Sequence, residues 1–351
     1  MSLLLKGITA LSELTIDVDK DWGEYSIENI GAPQADVDAL PRGLVDIYSK
    51  DWGLNWADLG AIIGGRIASG AYLGNGIVVL GGVDHHIYRS TDYGLTWADL
   101  GVISSEEIYA IASLGNGIAI AMGDGEHVYR STDDGLNWAD LGVIANDEIH
   151  SAAYLGNGIA VFPDRDGHVY RSIDYGLNWA DLGVVLAVAS YLDMDYMGTG
   201  IACIGSDSGR VYRSIDYGLN WADLGVIASG AIYALVYLGN GVAILVDQNS
   251  QIYRSTDYGA TWAFTVDLGG PNWFYGHSYL GSGICLLGDA FGHMFRSTDF
   301  GLTWTDLGDI TAAGEDLYAI VDLGNGIFIT TDDTNPSRLY RSTSAFQLWR
   351  G

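Results

Sequence analysis

Basic residues are scarce in this chain: of 351 residues, Lys and Arg total 16 against 44 Asp and Glu, a formal net charge of -28. Nucleic acid and anionic membranes both call for a basic face, so neither is an expected partner. Cysteine is nearly absent. Cys203 and Cys285 cannot build a disulfide framework, and their places in separate strand patterns predict buried free thiols. Long apolar runs are missing too. The most apolar stretch, Ala231 to Val246, is broken by Gly239-Asn240-Gly241 and reads as a strand pair rather than a membrane span. Leu3-Leu4-Leu5 is too short for a signal-peptide core, so the chain is expected to carry neither a signal nor a transmembrane segment. Few Lys beside many Asp suit a high-salt habitat as well as ordinary secretion.

What the chain has instead is repetition, which governs any reading of its fold. The stretch Ser90-Thr91-Asp92-Tyr93-Gly94-Leu95-Thr96-Trp97 recurs as Ser-x-Asp-x-Gly-x-(Thr/Asn)-Trp. Its aspartates are Asp51, Asp92, Asp133, Asp174, Asp216, Asp257 and Asp299. Its closing tryptophans are Trp56, Trp97, Trp138, Trp179, Trp221, Trp262 and Trp304, spaced 41 or 42 residues apart. Between boxes the sequence reads as four short strands. In the second unit these are strand A, Ile108 to Leu114; strand B, Ile118 to Met122; strand C, His127 to Ser131; and strand D, Trp138 to Val143. Asn116-Gly117 between A and B is a strong hairpin signal. The box then falls on the C–D turn. There Asp and Ser suit a hydrogen-bonded turn, Gly suits positive φ, and Trp supplies an apolar plate. A period near forty with four strands fits one propeller blade. A carboxylate repeated in every unit is therefore expected to brace the turn, not to catalyse.

The box resembles the Asp-box, or BNR repeat, of sialidase-like β-propellers, and the resemblance runs over about residues 49 to 349. It implies an all-β fold in which the boxes are structural turns. A degenerate copy, Ser342 to Trp349, ends the chain without a strand D, whereas Trp56-Ala57-Asp58-Leu59 is a strand D without a preceding hairpin. Seven four-stranded antiparallel blades are expected, with that N-terminal strand D completing the last blade and removing an exposed edge. An eighth blade would need residues 1 to 42 to supply two strands.

The expected organisation is an N-terminal segment, 1–47, followed by the propeller, 48–351. Leu14 to Asp46 does not match the blade. With its Gly turn, Ile27-Glu28-Asn29-Ile30-Gly31, Pro33 and Asp38-Ala39, it resembles the spacer of phage tail fibres. That resemblance implies a trimerising stalk, hence a homotrimer and an extracellular or virion-associated protein. An N-terminal cap over the ring is the other reading of the same residues.

Chemistry is harder to find. Arg89, Arg130, Arg171, Arg213, Arg254, Arg296 and Arg341 share one repeat position, so the ring's rotation keeps them from converging on one carboxylate as in a sialidase. Arg66 and Arg210 are the arginines expected to reach the ligand face. A glycosidase needs two carboxylates roughly 5 to 9.5 Å apart, but the many B–C loop carboxylates single out no pair. His86, His127, His168 and His293 share a repeat position as well, too far apart for zinc, whose ligands lie at about 2.0–2.1 Å. No catalytic residue, metal or cofactor is assigned.

Units differ where strand A begins. Counting back five from its last Leu or Met gives Ala68, Tyr109, His150, Leu192, Tyr233, Tyr275 and Tyr318. Two residues earlier stand Arg66, Glu107, Glu148, Ser190, Ala231, Trp273 and Asp316. In a propeller strand A is innermost, so these side chains should ring the channel mouth opposite the boxes. Aromatic plates with carboxylates there suit a neutral or amino-bearing glycan. The candidate ligand-binding set is Tyr109, His150, Tyr233, Tyr275, Tyr318, Glu107, Glu148, Trp273 and Asp316. The expected function is a non-catalytic recognition module for a glycan or surface receptor; a glycoside hydrolase and an assembly scaffold are the alternatives.

Overall fold

The computed structural model describes residues 52–186, 192–270, 273–311, 314–324 and 326–342. All of them fall within the unit Pro41–Gly351. The N-terminal segment 1–47, Asp51 of the first box, Ser190, Asn325 and the degenerate box after Ser342 lie outside the described residues, as does the side chain of Leu192.

Every regular element among the described residues is a strand, and the strands form seven four-stranded antiparallel sheets. Blade 1 shows the plan: strand A Ile67–Gly74, B Ile77–Gly82, C His86–Ser90 and D Ala98–Val102. In blade 2 the strands are Ile108–Gly115, Ile118–Gly123, His127–Ser131 and Ala139–Val143, within a residue of the sequence reading at each end. The A–B connection follows from its residues: Asn116 and Gly117 both have positive φ, 53° and 75°, which a two-residue hairpin of this hand requires.

Blade 7 is assembled from both ends of the propeller. Strands Leu317–Asp322, Phe328–Asp332 and Ser337–Ser342 are completed by Trp56–Ile63, which pairs antiparallel with Ser337–Ser342, Trp56 opposite Ser342. The ring is thus seven-bladed, closed as the sequence leads one to expect.

The core lies between blades. Strand B is buried on both faces, as at Val78–Gly82, while strand D is largely exposed, as at Ala98–Val102. One apolar cluster joins Ile67, Val78, Leu80 and Tyr88 of blade 1 to Val321, Leu323, Ile329 and Leu339 of blade 7, so the closing interface is packed like the others. Cys203 and Cys285 sit in strand B of blades 4 and 6, buried and unbridged. Burial, the main cause, pushes the Cys203 thiol up to about 12 and raises that of Cys285. No helix among the described residues is long and apolar enough to cross a membrane.

Candidate functional site

The box is a closed hydrogen-bond unit. In the first clean copy, Asp92 Oδ1 accepts from Ser90 Oγ at 2.8 Å and from the Thr96 amide at 2.8 Å. Its Oδ2 accepts from Thr96 Oγ1 at 2.6 Å, and Ser90 Oγ accepts from the Gly94 amide at 2.9 Å. Trp97 Nε1 donates to the Gly94 carbonyl at 3.1 Å. Asp133, Asp174, Asp216, Asp257 and Asp299 repeat these contacts with Asn or Thr in the partner position. A modest burial penalty on each carboxyl is outweighed by these donors, which hold all six below the ordinary carboxylate value. Gly135, at φ 73°, shows why the box needs glycine: a Cβ there would lie 2.5 Å from Val79 of blade 1.

The repeated arginines join blade to blade. Arg89 Nε donates to the Asp134 carbonyl in the next box at 2.7 Å, and the pattern continues around the ring. Arg296 donates to Trp52 and Arg341 to Tyr93, both at 2.8 Å, which carries the pattern through the closure. The repeated histidines act within a blade. His86, His127, His168 and His293 each bond the Asp of their own strand D, at 2.8 to 3.0 Å. Arg210 and Arg338 do the same with Asp223 and Asp58. Of the two arginines expected at the ligand face, Arg66 lines the cavity described below, whereas Arg210, at the same end of its blade, is paired to Asp223 and does not. Some of the carboxylates between strands B and C are also committed. Asp164 and Asp289 each accept the amide that opens strand C, and Asp332 accepts that of Arg338, the second residue of its strand C, all at 2.8 Å.

At the opposite end of the channel the blades diverge. A cavity of about 410 Å³ is lined by Arg66, Ala68, Tyr109, His150, Tyr275 and Tyr318 at the rim and by Ser151, Asp193 and His277 on its wall, among others. Four predicted residues, Tyr109, His150, Tyr275 and Tyr318, thus share one cavity. Tyr109 stacks on His150 with centroids 5.1 Å apart and planes 4° apart, and Tyr275 stacks on Tyr318 at 4.7 Å and 5°. Tyr233 and Trp273 do not line the cavity; they extend the second stack sideways, Tyr233 edge-on to Tyr275 at 5.8 Å and Trp273 6.2 Å from Tyr233. Trp273 is 47% exposed.

The predicted carboxylates sit at the edges of these plates. Glu107 accepts from Tyr109 OH at 2.7 Å, and Glu148 Oε2 lies 3.2 Å from His150 Nε2. Glu148 also pairs with Arg165, a cation the sequence reading overlooked. Asp316, beside Tyr318, is pushed up to about 6 by partial burial and by the neighbouring carboxylates Asp333 and Glu315. Asp124 is raised by burial and by Glu148, Glu106 and Glu107. Arg66 lays its guanidinium over the Tyr318 ring at 4.9 Å and donates Nη1–H to Tyr318 OH at 3.0 Å.

Deeper in the channel, Asp193 joins four successive blades. It accepts from Ser151 Oγ (3.1 Å, blade 3), its neighbouring Met194 amide (2.9 Å, blade 4), the Leu235 amide (2.7 Å, blade 5) and His277 Nε2 (3.0 Å, blade 6). Burial opposes charge on His277, but Asp193 and Asp195 outweigh it and raise the imidazole's pKa. Asp195 is itself held at about 6 by burial, despite accepting the Tyr196 and Tyr237 amides. The order Ser–Asp–His, with the carboxylate central, is not that of a nucleophile activated by histidine. The sequence did carry a signal for this group. Asp193 stands in register with Ser69, Ala110, Ser151, Ala234, Gly276 and Ala319, one step past the position compared above.

No family model matches the chain, and no curated protein matches it. Its fold is similar to solved propellers. A structure of YCF48 bound to D1 peptide superposes with a TM-score of 0.70 at 18% identity, covering 82% of this chain and 97% of that one. A streptogramin B lyase superposes with a TM-score of 0.70 at 10% identity, covering 83% and 99%. The WD40 propeller of Doa1 follows with a TM-score of 0.66 at 11% identity, covering 84% and 98%. At these identities the likeness establishes the architecture alone.

Proposed function

We propose that this propeller is a non-catalytic recognition module that holds a neutral or amino-bearing glycan at the channel mouth opposite the boxes. The observation that carries the reading is the convergence of stacked aromatic plates from blades 2, 3, 6 and 7 on one cavity, with carboxylates bonded at the plates' edges. Aromatic faces receive the apolar face of a sugar ring, while polar groups at the edges fix its hydroxyls or amines. The acidic surroundings disfavour a sialylated ligand. Calorimetric titration with neutral and amino-bearing hexasaccharides tests this. Binding that the double variant Tyr233→Ala, Tyr275→Ala leaves unchanged would refute it.

The spacer resemblance of residues 14–46 supports placing this module as the head of a viral-type fibre. Mass measurement of the full chain should then give a trimer, and a monomer at high concentration overturns that part. The YCF48 structure, described with a D1 peptide, favours a second reading in which a peptide occupies the same mouth. Selection from a peptide library, competed with the hexasaccharides, separates the two. A glycosidase has less support, because Asp193, the carboxylate among the cavity-lining residues, already accepts four bonds. Sugar release from sialosides or β-glucans would reverse that judgement.

A further inference from the structure

Five of the seven equivalent strand A positions carry a flat ring, and blade 1 carries a methyl group, Ala68. Blade 1 lies between blade 7, which presents Tyr318, and blade 2, which presents Tyr109. The two parallel stacks at the mouth each join neighbouring blades, Tyr275 on Tyr318 and Tyr109 on His150. Ring rotation would therefore bring a plate at position 68 between Tyr318 and Tyr109. Ala68 instead lines the cavity, together with Ser69 and Gly70, the next two residues of the same strand.

The gap has chemically distinct sides. Tyr275 covers one face of Tyr318, so the Arg66 guanidinium, 4.9 Å from the ring centroid, lies over the other. Arg66 gives Nη1–H to Tyr318 OH, and a guanidinium has further N–H donors to offer. On the far side stands Tyr109, backed by His150, its hydroxyl held by the Glu107 carboxylate. The Arg66 side thus offers donors, with the Asp316 carboxylate behind Tyr318, and the Tyr109 side offers the Glu107 acceptor, around a space that the repeat fills with a flat side chain in five of the other six blades. A neutral pyranose fits this pattern: it is plate-like, with one apolar face, and its edge hydroxyls both donate and accept. An aromatic ligand would leave both polar sides unanswered, which is costly when they are desolvated.

We infer that Ala68 is the specificity-determining position of the mouth, and that a neutral pyranose unit of the ligand takes the place of the plate that blade 1 lacks. This rests on the recognition reading above and narrows it. The test is Ala68→Tyr in the full chain, titrated with cellohexaose and chitohexaose. Tyr is native at this position in blades 2, 5, 6 and 7, so the fold should accept it. It should fill the gap and weaken binding by about tenfold or more, while Ala68→Ser stays within about twofold. Ala68→Leu, which borrows the blade 4 residue, serves the same purpose should Ala68→Tyr fail to fold. If the filled variants bind like wild type while Tyr275→Ala abolishes binding, the assignment of Ala68 is wrong and the mouth stands. If wild type binds neither hexasaccharide, the glycan reading falls and this inference with it.

Discussion

Replacing Asp133 by Ala tests whether a repeated box carboxylate is structural. The substitution removes three bonds: Oδ1 with Ser131 Oγ at 2.9 Å and with the Asn137 amide at 2.9 Å, and Oδ2 with Asn137 Nδ2 at 2.7 Å. At about 0.5–1.5 kcal/mol net each, and discounted because water can replace the partners of an exposed turn, the loss is about 1–2 kcal/mol. For a domain of this size that lowers Tm by roughly 1.5–3 °C. The loss should depend on pH with a definite sign. Donors hold the folded Asp133 carboxyl below its ordinary value of 3.8. Its contribution is therefore present above that value and fades as pH falls through the lower folded value. Differential scanning calorimetry of wild type and Asp133→Ala should show a Tm gap at pH 7 that narrows below about pH 4. Saccharide affinity of the folded variant should be unchanged. A variant with wild-type Tm and no binding would refute the structural account of the box.

Three further outcomes follow from the same contacts. Trp138→Ala should cost about 2–4 kcal/mol, since the half-buried indole packs into the blade 1–blade 2 cluster and caps its own box; chemical denaturation reads the loss. Arg341→Met should cost about 1–3 kcal/mol by leaving the Tyr93 carbonyl without its donor at the blade 7–blade 1 junction, and an unchanged denaturation midpoint would contradict the blade-joining role. Asp195 and Asp322 are held at about 6 by burial, above their ordinary value of 3.8. The folded state thus binds protons between about pH 4 and 6 that the unfolded chain releases. Stability should fall as pH rises through that window, and fall again as His277, whose pKa is raised, loses its proton. A Tm that climbs steadily from pH 4 to 8 would contradict these assignments.

The sequence was most informative where it repeats. Box, hairpin and strand C recur in register, so Asn116-Gly117, Ser131 and Trp138 could each be placed in a blade, and the unmatched strand D at Trp56 foretold the closure. The arginine positions were visible, but their task was not, because a bond from Arg89 to the Asp134 carbonyl links residues one blade apart. The mouth was half legible. Comparing equivalent positions found the aromatic plates, yet it could not show that Tyr275 and Tyr318 stack while Tyr233 stands edge-on. Arg165 was hidden in an acidic loop, and Asp193 lay one register step beyond those compared. His277, whose equivalents include Gly70, Ile111 and Ala152, went unnoticed for the same reason. The pairing of Arg210 with Asp223 was missed because its repeat equivalence to His168 was not carried through to the Asp opposite.

Recognition, on this account, belongs to the positions where blades differ, and the shared residues hold the ring. The most direct measurement is a crystal structure of the full chain soaked with chitohexaose. The account predicts a sugar ring over Ala68, between the Arg66–Tyr318 pair and Tyr109. Sugar bonded instead to a box carboxylate such as Asp92, drawn out of its own turn, would contradict it.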